Sequence, residues 1–183
     1  PDHVGVDIGC TISMHGLSMP VPPDDFALLD HRIREIVPMG KDICAKNSLN
    51  EKDLFRFLDS QYKKARSAAP DLINEAPRID ARFITDFCRR IKLQEGIFYK
   101  SIGSLGGGNH FIEYGESADG TPWLTLHTGS RNLGVKVANH WHNIANNPKR
   151  AAMIGYLWGD ALNGYLSDMA IAQAYARYNH EVI

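Results

Sequence analysis

Four glycines fall within Ser101–Gly108, and the strand pattern directly behind them limits the fold more than any other part of the chain. Such a glycine run carries little side-chain bulk and bends freely. It leads into Asn109-His-Phe-Ile-Glu-Tyr114, which alternates like a strand. Asp119-Gly120 is a hairpin turn signal, and Pro122 to His127 reads as the returning strand. Thr128-Gly-Ser-Arg131 is predicted to be a loop. Helical patterns flank this hairpin on both sides. Asp24 and Asp25 can cap a helix reaching about Val37, with Phe26, Leu29, Ile33 and Ile36 on one face. Ser48-Leu-Asn-Glu51 fits a capping box. The helix behind it groups Leu54, Phe57, Leu58 and Tyr62, carries Lys63, Lys64 and Arg66 near its end, and stops at Pro70. Further helices are expected over Asp80–Lys92, Leu133–Asn146 and Leu162–Ile183. At the start, Val4–Ile8 reads as a short strand that turns at Gly9-Cys10. Thr11–Met19 reads as a second strand, which Pro20, Pro22 and Pro23 end. Strands and helices mixed so irregularly predict an α+β fold with flanking helices, as one domain over residues 1–183.

The 183 residues are enough for one proper core, and the formal net charge of -1 provides no global basic field. A nucleic-acid site would therefore be a local patch. No apolar run approaches the roughly 18 residues of a membrane span. Cys10, Cys44 and Cys88 are odd in number and widely spaced, which argues for a reducing compartment, with cytoplasm the default. Pro1 at one end and a helical pattern running to Ile183 at the other predict a piece of a longer protein.

Four segments carry chemistry. Val4-Gly-Val-Asp-Ile-Gly-Cys10 sets a carboxylate and a thiol at the end of a strand, one a hard and the other a soft metal donor. Taken alone, such a cysteine is more often a buried apolar residue. Gly103-Ser-Leu-Gly-Gly-Gly-Asn-His110 resembles a phosphate cradle but lacks the Gly-Lys-Ser/Thr of a P-loop and the spacing of a dinucleotide fold. The polar Asn109, His110 and Glu113 beyond the glycines are costly to bury without partners. His127-Thr-Gly-Ser-Arg131 offers an imidazole, two hydroxyls and a planar guanidinium suited to phosphate. The stretch Tyr165–His180 contains Asp168, Gln173, Tyr175 and Asn179, and reads as a packing helix with a polar edge. His3, His15, His31, His140, His142 and His180 read as surface or structural.

In combination, VGVDIGC, GSLGGGNHFIE, HTGSRNLG and YLSDMAIAQAYARYN, in that order, resemble the signature segments of the RtcB RNA ligases. The resemblance touches the whole chain and is densest at residues 4–10, 103–113 and 127–134. It implies a cytoplasmic enzyme using GTP and two Mn²⁺ ions. Such an enzyme joins a 2′,3′-cyclic phosphate or 3′-phosphate RNA end to a 5′-hydroxyl end in tRNA splicing and RNA repair, sometimes with an activating accessory protein. Carried over by residue, it implies that Asp7, Cys10 and His110 hold one manganese. Cys10 and His127 would hold the second, Asn109, His110, Phe111, Ile112 and Glu113 would line the guanylate pocket, and Arg131 would meet an RNA phosphate.

The chain also departs from that pattern. Thr11-Ile12 stands after Cys10 where Gly or Arg and then Met are usual, and His180 stands after Asn179 where Arg is common. The family's later histidines, one completing the second metal site and one guanylylated, have no counterpart here. No residue of the chain is therefore assigned as the catalytic nucleophile, and the 183 residues alone are expected to be inactive. The rival readings are a relative that binds metal or nucleotide without turnover, and a metal-dependent phosphoesterase.

Overall fold

The computed structural model describes residues 8–46, 49–75, 78–146 and 155–183. Most of the expected strand Val4–Ile8, including Asp7, and Ser48 of the expected capping box lie outside them. The elements are β1 (Thr11–Gly16), α1 (Phe26–Ile36), α2 (Glu51–Ala68), α3 (Ala81–Arg90), α4 (Glu95–Lys100), β2 (Phe111–Glu116), β3 (Pro122–Thr128), α5 (Arg131–Ala145) and α6 (Asp160–Val182). Helices with one small antiparallel sheet make this an α+β fold.

The main core lies among the helices. Asn50 caps α2 by accepting from the Lys52 amide at 3.1 Å, so the cap falls inside the expected box at a different residue. Leu54, Leu58 and Tyr62 recur on one face of α2 and are buried there. They meet α6, whose Ala170, Ala172, Ala174 and Ala176 let backbone approach closely, with Ile171 and Tyr175 filling the space between. Removing each such leucine from water contributes about 2 kcal/mol. The Tyr175 hydroxyl donates to the Phe98 carbonyl at 2.6 Å, which anchors α4. Asp168 is buried on α6, accepts from both terminal nitrogens of Arg90 at 2.5 and 2.8 Å, and accepts from Trp141 Nε1 at 2.8 Å. This carboxylate thus pins α3 and α5 to α6 with its lone pairs satisfied, the condition under which a buried charge is tolerated.

The sheet has strand order β1-β3-β2, all antiparallel. Register sets its two faces. His127 lies between Ile12 and Phe111, so these three share one face, while Leu126 lies between Ser13 and Ile112 on the other. The second face covers a small core of Val37, Leu105 and Leu126. The hairpin turn forms at Asp119-Gly120, closed by Ser117 N–H donating to the Thr121 carbonyl at 2.9 Å. One expectation fails in detail. Helix α1 buries none of its residues, and Ile36, expected on its inward face, is 77% exposed. The helix meets the sheet through Ile33 and through Phe26, whose ring lies 5.3 Å from that of Tyr114, and the core there is too small to cover a full apolar stripe.

Candidate metal centre

Cys10 is aimed by the glycine before it. Gly9 has φ +82°, a conformation L side chains rarely adopt, and a Cβ there would collide with Ala176 of α6. The turn therefore lies flat against α6 and delivers Cys10 at the head of β1. Its Sγ lies 2.6 Å from His127 Nε2 and 4.0 Å from His110 Nε2. The three ligand atoms fall within 4.8 Å of one another, and no other group of three Cys, His, Asp or Glu does so among the described residues. Cys10 is exposed, whereas His127 is buried and its Nδ1 has no hydrogen-bond partner among the described residues. The His110 and His127 rings meet edge-on at 5.4 Å, and Phe111 closes on His127 at 5.2 Å.

His110 sits at the end of the glycine-rich loop, which two long-range struts hold. Arg131, with φ +56° at the first position of α5, donates through Nε to Ser104 Oγ at 3.0 Å and through a terminal nitrogen to the Gly40 carbonyl at 2.9 Å. Gly106 has φ +102°, and a Cβ there would overlap both the Arg131 guanidinium and the His110 ring. The second strut is Asn179, fully buried on α6. Its Oδ1 accepts from Gly103 N–H at 2.8 Å, and its Nδ2 donates among Thr128 Oγ1 at 3.1 Å and the carbonyls of Ser104 and Gly129, each at 3.2 Å. Thr128 Oγ1 in turn donates to the Leu105 carbonyl at 2.8 Å. By sequence Asn179 reads as part of a polar helix edge. The signal that marks it out is an amide four residues after Tyr175, on a stripe of alanines that has to be buried.

Beside His110 opens a cavity of about 540 Å³ lined by Gly40, Lys41, Gly107, Asn109, His110 and Arg131, among others. Strand alternation separates the run expected to line a single pocket. Asn109 and His110 precede β2 and face this cavity. Phe111 and Glu113 lie on the His127 face of the sheet, and Ile112 lies on the opposite face, against the small core. Arg131, expected in a loop, begins a helix and braces the glycine loop. Of the remaining histidines, His180 is half-buried against Ser13, and burial, more than the nearby His15, lowers its pKa. His140 stacks edge-on against Trp141, and its pKa too is lowered by burial first. His3 lies outside the described residues.

The donor set can hold a metal ion. A thiol and two imidazoles converge, and the unpartnered Nδ1 leaves His127 able to ligate through Nε2. Those three donors suit a borderline-soft ion. No helix of the described residues is long and apolar enough to cross a membrane.

The chain is similar over its whole length to the RNA-splicing ligase RtcB of Escherichia coli K12, at 24% identity over 196 residues, covering 45% of that protein. It is likewise similar to the tRNA-splicing ligases RtcB of Nanoarchaeum equitans, at 26% identity, and Aeropyrum pernix, at 27%, covering 44% of each. The chain thus spans less than half the length of these curated relatives. The family described as tRNA-splicing ligase RtcB matches residues 1–183. With the whole chain matched, the protein belongs to the RtcB family.

Proposed function

We propose that this chain is the metal-binding half of a GTP- and manganese-dependent RNA ligase, one that joins 2′,3′-cyclic phosphate or 3′-phosphate ends to 5′-hydroxyl ends. The observation that supports it best is the meeting of Cys10, His110 and His127 within 4.8 Å, beside a cavity with Lys41 and Arg131 in its wall. In this reading Asp7, Cys10 and His110 hold one ion, and Cys10 and His127 share in holding a second. Bound there, the ions supply positive charge against phosphate oxygens. The chain's own groups do the positioning. Asn109 and His110 present polar atoms to the nucleotide, with Phe111 and Glu113 beside them on the outer sheet face and Ile112 supporting from behind. Arg131 keeps the glycine backbone open toward the cavity and brings its charge to an RNA phosphate. RNA ends and GTP are the partners, an activating accessory protein is a further one, and the cytoplasm is the compartment.

The chain by itself is proposed to bind Mn²⁺ but to form no guanylate adduct and ligate no RNA. An imidazole nitrogen committed to a metal cannot also attack phosphorus, and both histidines at the centre are so committed. Calorimetric titration of Mn²⁺ tests the metal reading: Cys10→Ala should weaken binding roughly tenfold or more, because a shared thiolate serves both ions. Equal affinity in the variant removes the thiolate from the site. Incubation with labelled GTP and Mn²⁺, then denaturing electrophoresis, tests the second part. A stable labelled band would place a nucleophile within these 183 residues and overturn it.

A further inference from the structure

We propose that a furrow between α2 and α6, rimmed by Lys64 and Arg177, holds the sugar-phosphate backbone of an RNA strand whose end lies at the Cys10 centre. This rests on the RNA-ligase reading above and says where the body of that substrate runs. Along the seam of the two helices, Ala65, Ala170 and Ala174 are too short to fill the space and leave a furrow of about 300 Å³. Gln61 and Gln173 join the two cations along it, and no carboxylate lines it among the described residues.

Charge selects the partner. Arg56, Lys63 and Arg66 on α2 each pair with a carboxylate. Among the described residues no carboxylate pairs with Lys64 or Arg177. Arg177 donates through one terminal nitrogen to Gln61 Oε1 at 3.1 Å, and a guanidinium has further N–H donors to offer a phosphate oxygen. With a net charge of -1 over the whole chain, nucleic acid has to be held by a local patch of this kind. No aromatic ring lines the furrow, so bases have nothing to stack on there. The contact is therefore with phosphates and is independent of sequence. Position sets the path of the strand. A Cβ built on Gly9 would lie 3.0 Å from Gln173 Cα. The same α6 residue thus borders the furrow and supports the turn that delivers Cys10, so a strand leaving the metal centre across that turn meets Arg177 and Lys64.

Fluorescence anisotropy of a labelled single-stranded RNA with a 3′-phosphate, titrated with the full chain in EDTA, tests the furrow with no metal bound. Lys64→Gln combined with Arg177→Gln should weaken binding roughly tenfold, and should reduce the slope of log affinity against log salt by about 0.7 for each cation lost. Arg177→Lys should keep most of the slope, because charge and not side-chain packing carries the contact. Oligo-U and oligo-A should lose affinity alike. Lys52→Gln, at the other end of α2, should leave affinity and slope unchanged. Lys64 and Arg177 are exposed, so their replacement is expected to leave the fold unaffected. An equal drop in Lys52→Gln overturns the proposal. An unchanged slope in the double variant also overturns it, and would turn the furrow over to an acidic protein surface. The metal reading fails separately. Mn²⁺ should add RNA affinity in the unaltered chain and not in Cys10→Ala, and equal gains in both count against the centre while the furrow result stands.

Discussion

The helical half and the sheet half of this molecule are built to different standards of burial. Between α2, α3, α5 and α6, Leu54, Leu58, Ile84, Val137 and Tyr175 are wholly removed from solvent. Under the sheet the buried cluster among the described residues is Val37, Leu105 and Leu126, and the outer face leaves Ile12 58% and Phe111 36% exposed. Yet the sheet half carries the candidate metal ligands. Its own core is too small to hold it in shape. Polar struts from the thick part do so instead: Asn179 from α6 and Arg131 from α5, each reaching the glycine loop. Directional bonds suit this role, because they set where a backbone lies to within a few tenths of an ångström, which a small apolar cluster cannot do.

Thiol chemistry should show the contrast at its largest. Burial pushes the Cys88 thiol up to about 12, whereas Cys10 is exposed. At pH 8 alkylation should modify Cys10 faster than Cys88 by a factor on the order of a hundred or more. Mass mapping of partly alkylated protein measures this, and comparable rates would mean that the helical core opens readily. The raised pKa also bears on stability. A buried thiol that resists ionisation costs the fold nothing below the ordinary value near 9, and the unfolded chain gains by ionising above it. The helical half should therefore weaken as pH rises from about 9 toward about 12.

Leu58→Ala should cost about 2–5 kcal/mol of unfolding free energy, as a cavity in a packed core does, and should lower the Tm of the whole chain. Denaturant melts tracked in the far ultraviolet check it. A loss below about 1 kcal/mol, on the scale of a tolerated surface change, would show that the helical core is looser than its burial implies.

Asn179→Ala should cost about 1–3 kcal/mol, because it strands buried amide and carbonyl groups of the loop. It should also weaken Mn²⁺ binding, since His110 sits at the end of that loop. Asn179→Asp, which keeps the acceptor for Gly103 N–H, should retain part of the loop geometry. If metal affinity were untouched in both variants, the strut would be structural only.

Met14→Lys sits at the small end. Met14 is 60% exposed on β1, and the change should alter stability by no more than about 0.5 kcal/mol. A larger loss would show that something covers that face in solution, and sedimentation at two concentrations would then tell whether it is another copy of the chain.

Much of the local structure was legible in the chain. Asp119-Gly120 announced its turn, the apolar face of Leu54, Leu58 and Tyr62 announced α2, and helical stretches were readable over what became α5 and α6. The features that escaped did so for physical reasons. Helix α4 has only six residues, too few to display a period. Ile36 obeyed the amphipathic pattern, but the sheet beneath α1 offers no surface to meet it. His180 and Ser13 are separated by 167 residues, so nothing in either neighbourhood signals their contact.

For the candidate centre, the residue types came from the sequence. The thiol before a strand, the histidine after the glycines and the histidine at the strand end were all visible as chemistry and as a family pattern. Their convergence was decided by tertiary structure. Cys10 and His127 stand 117 residues apart, and they face each other only because β1 pairs with β3 in the register that puts Ile12 opposite His127. A slip of one residue would send Leu126 to the solvent side and turn His127 into the small core. Burial of Leu126 against Val37 and Leu105 forbids that slip, so the energy of three apolar side chains selects the face on which the ligands meet.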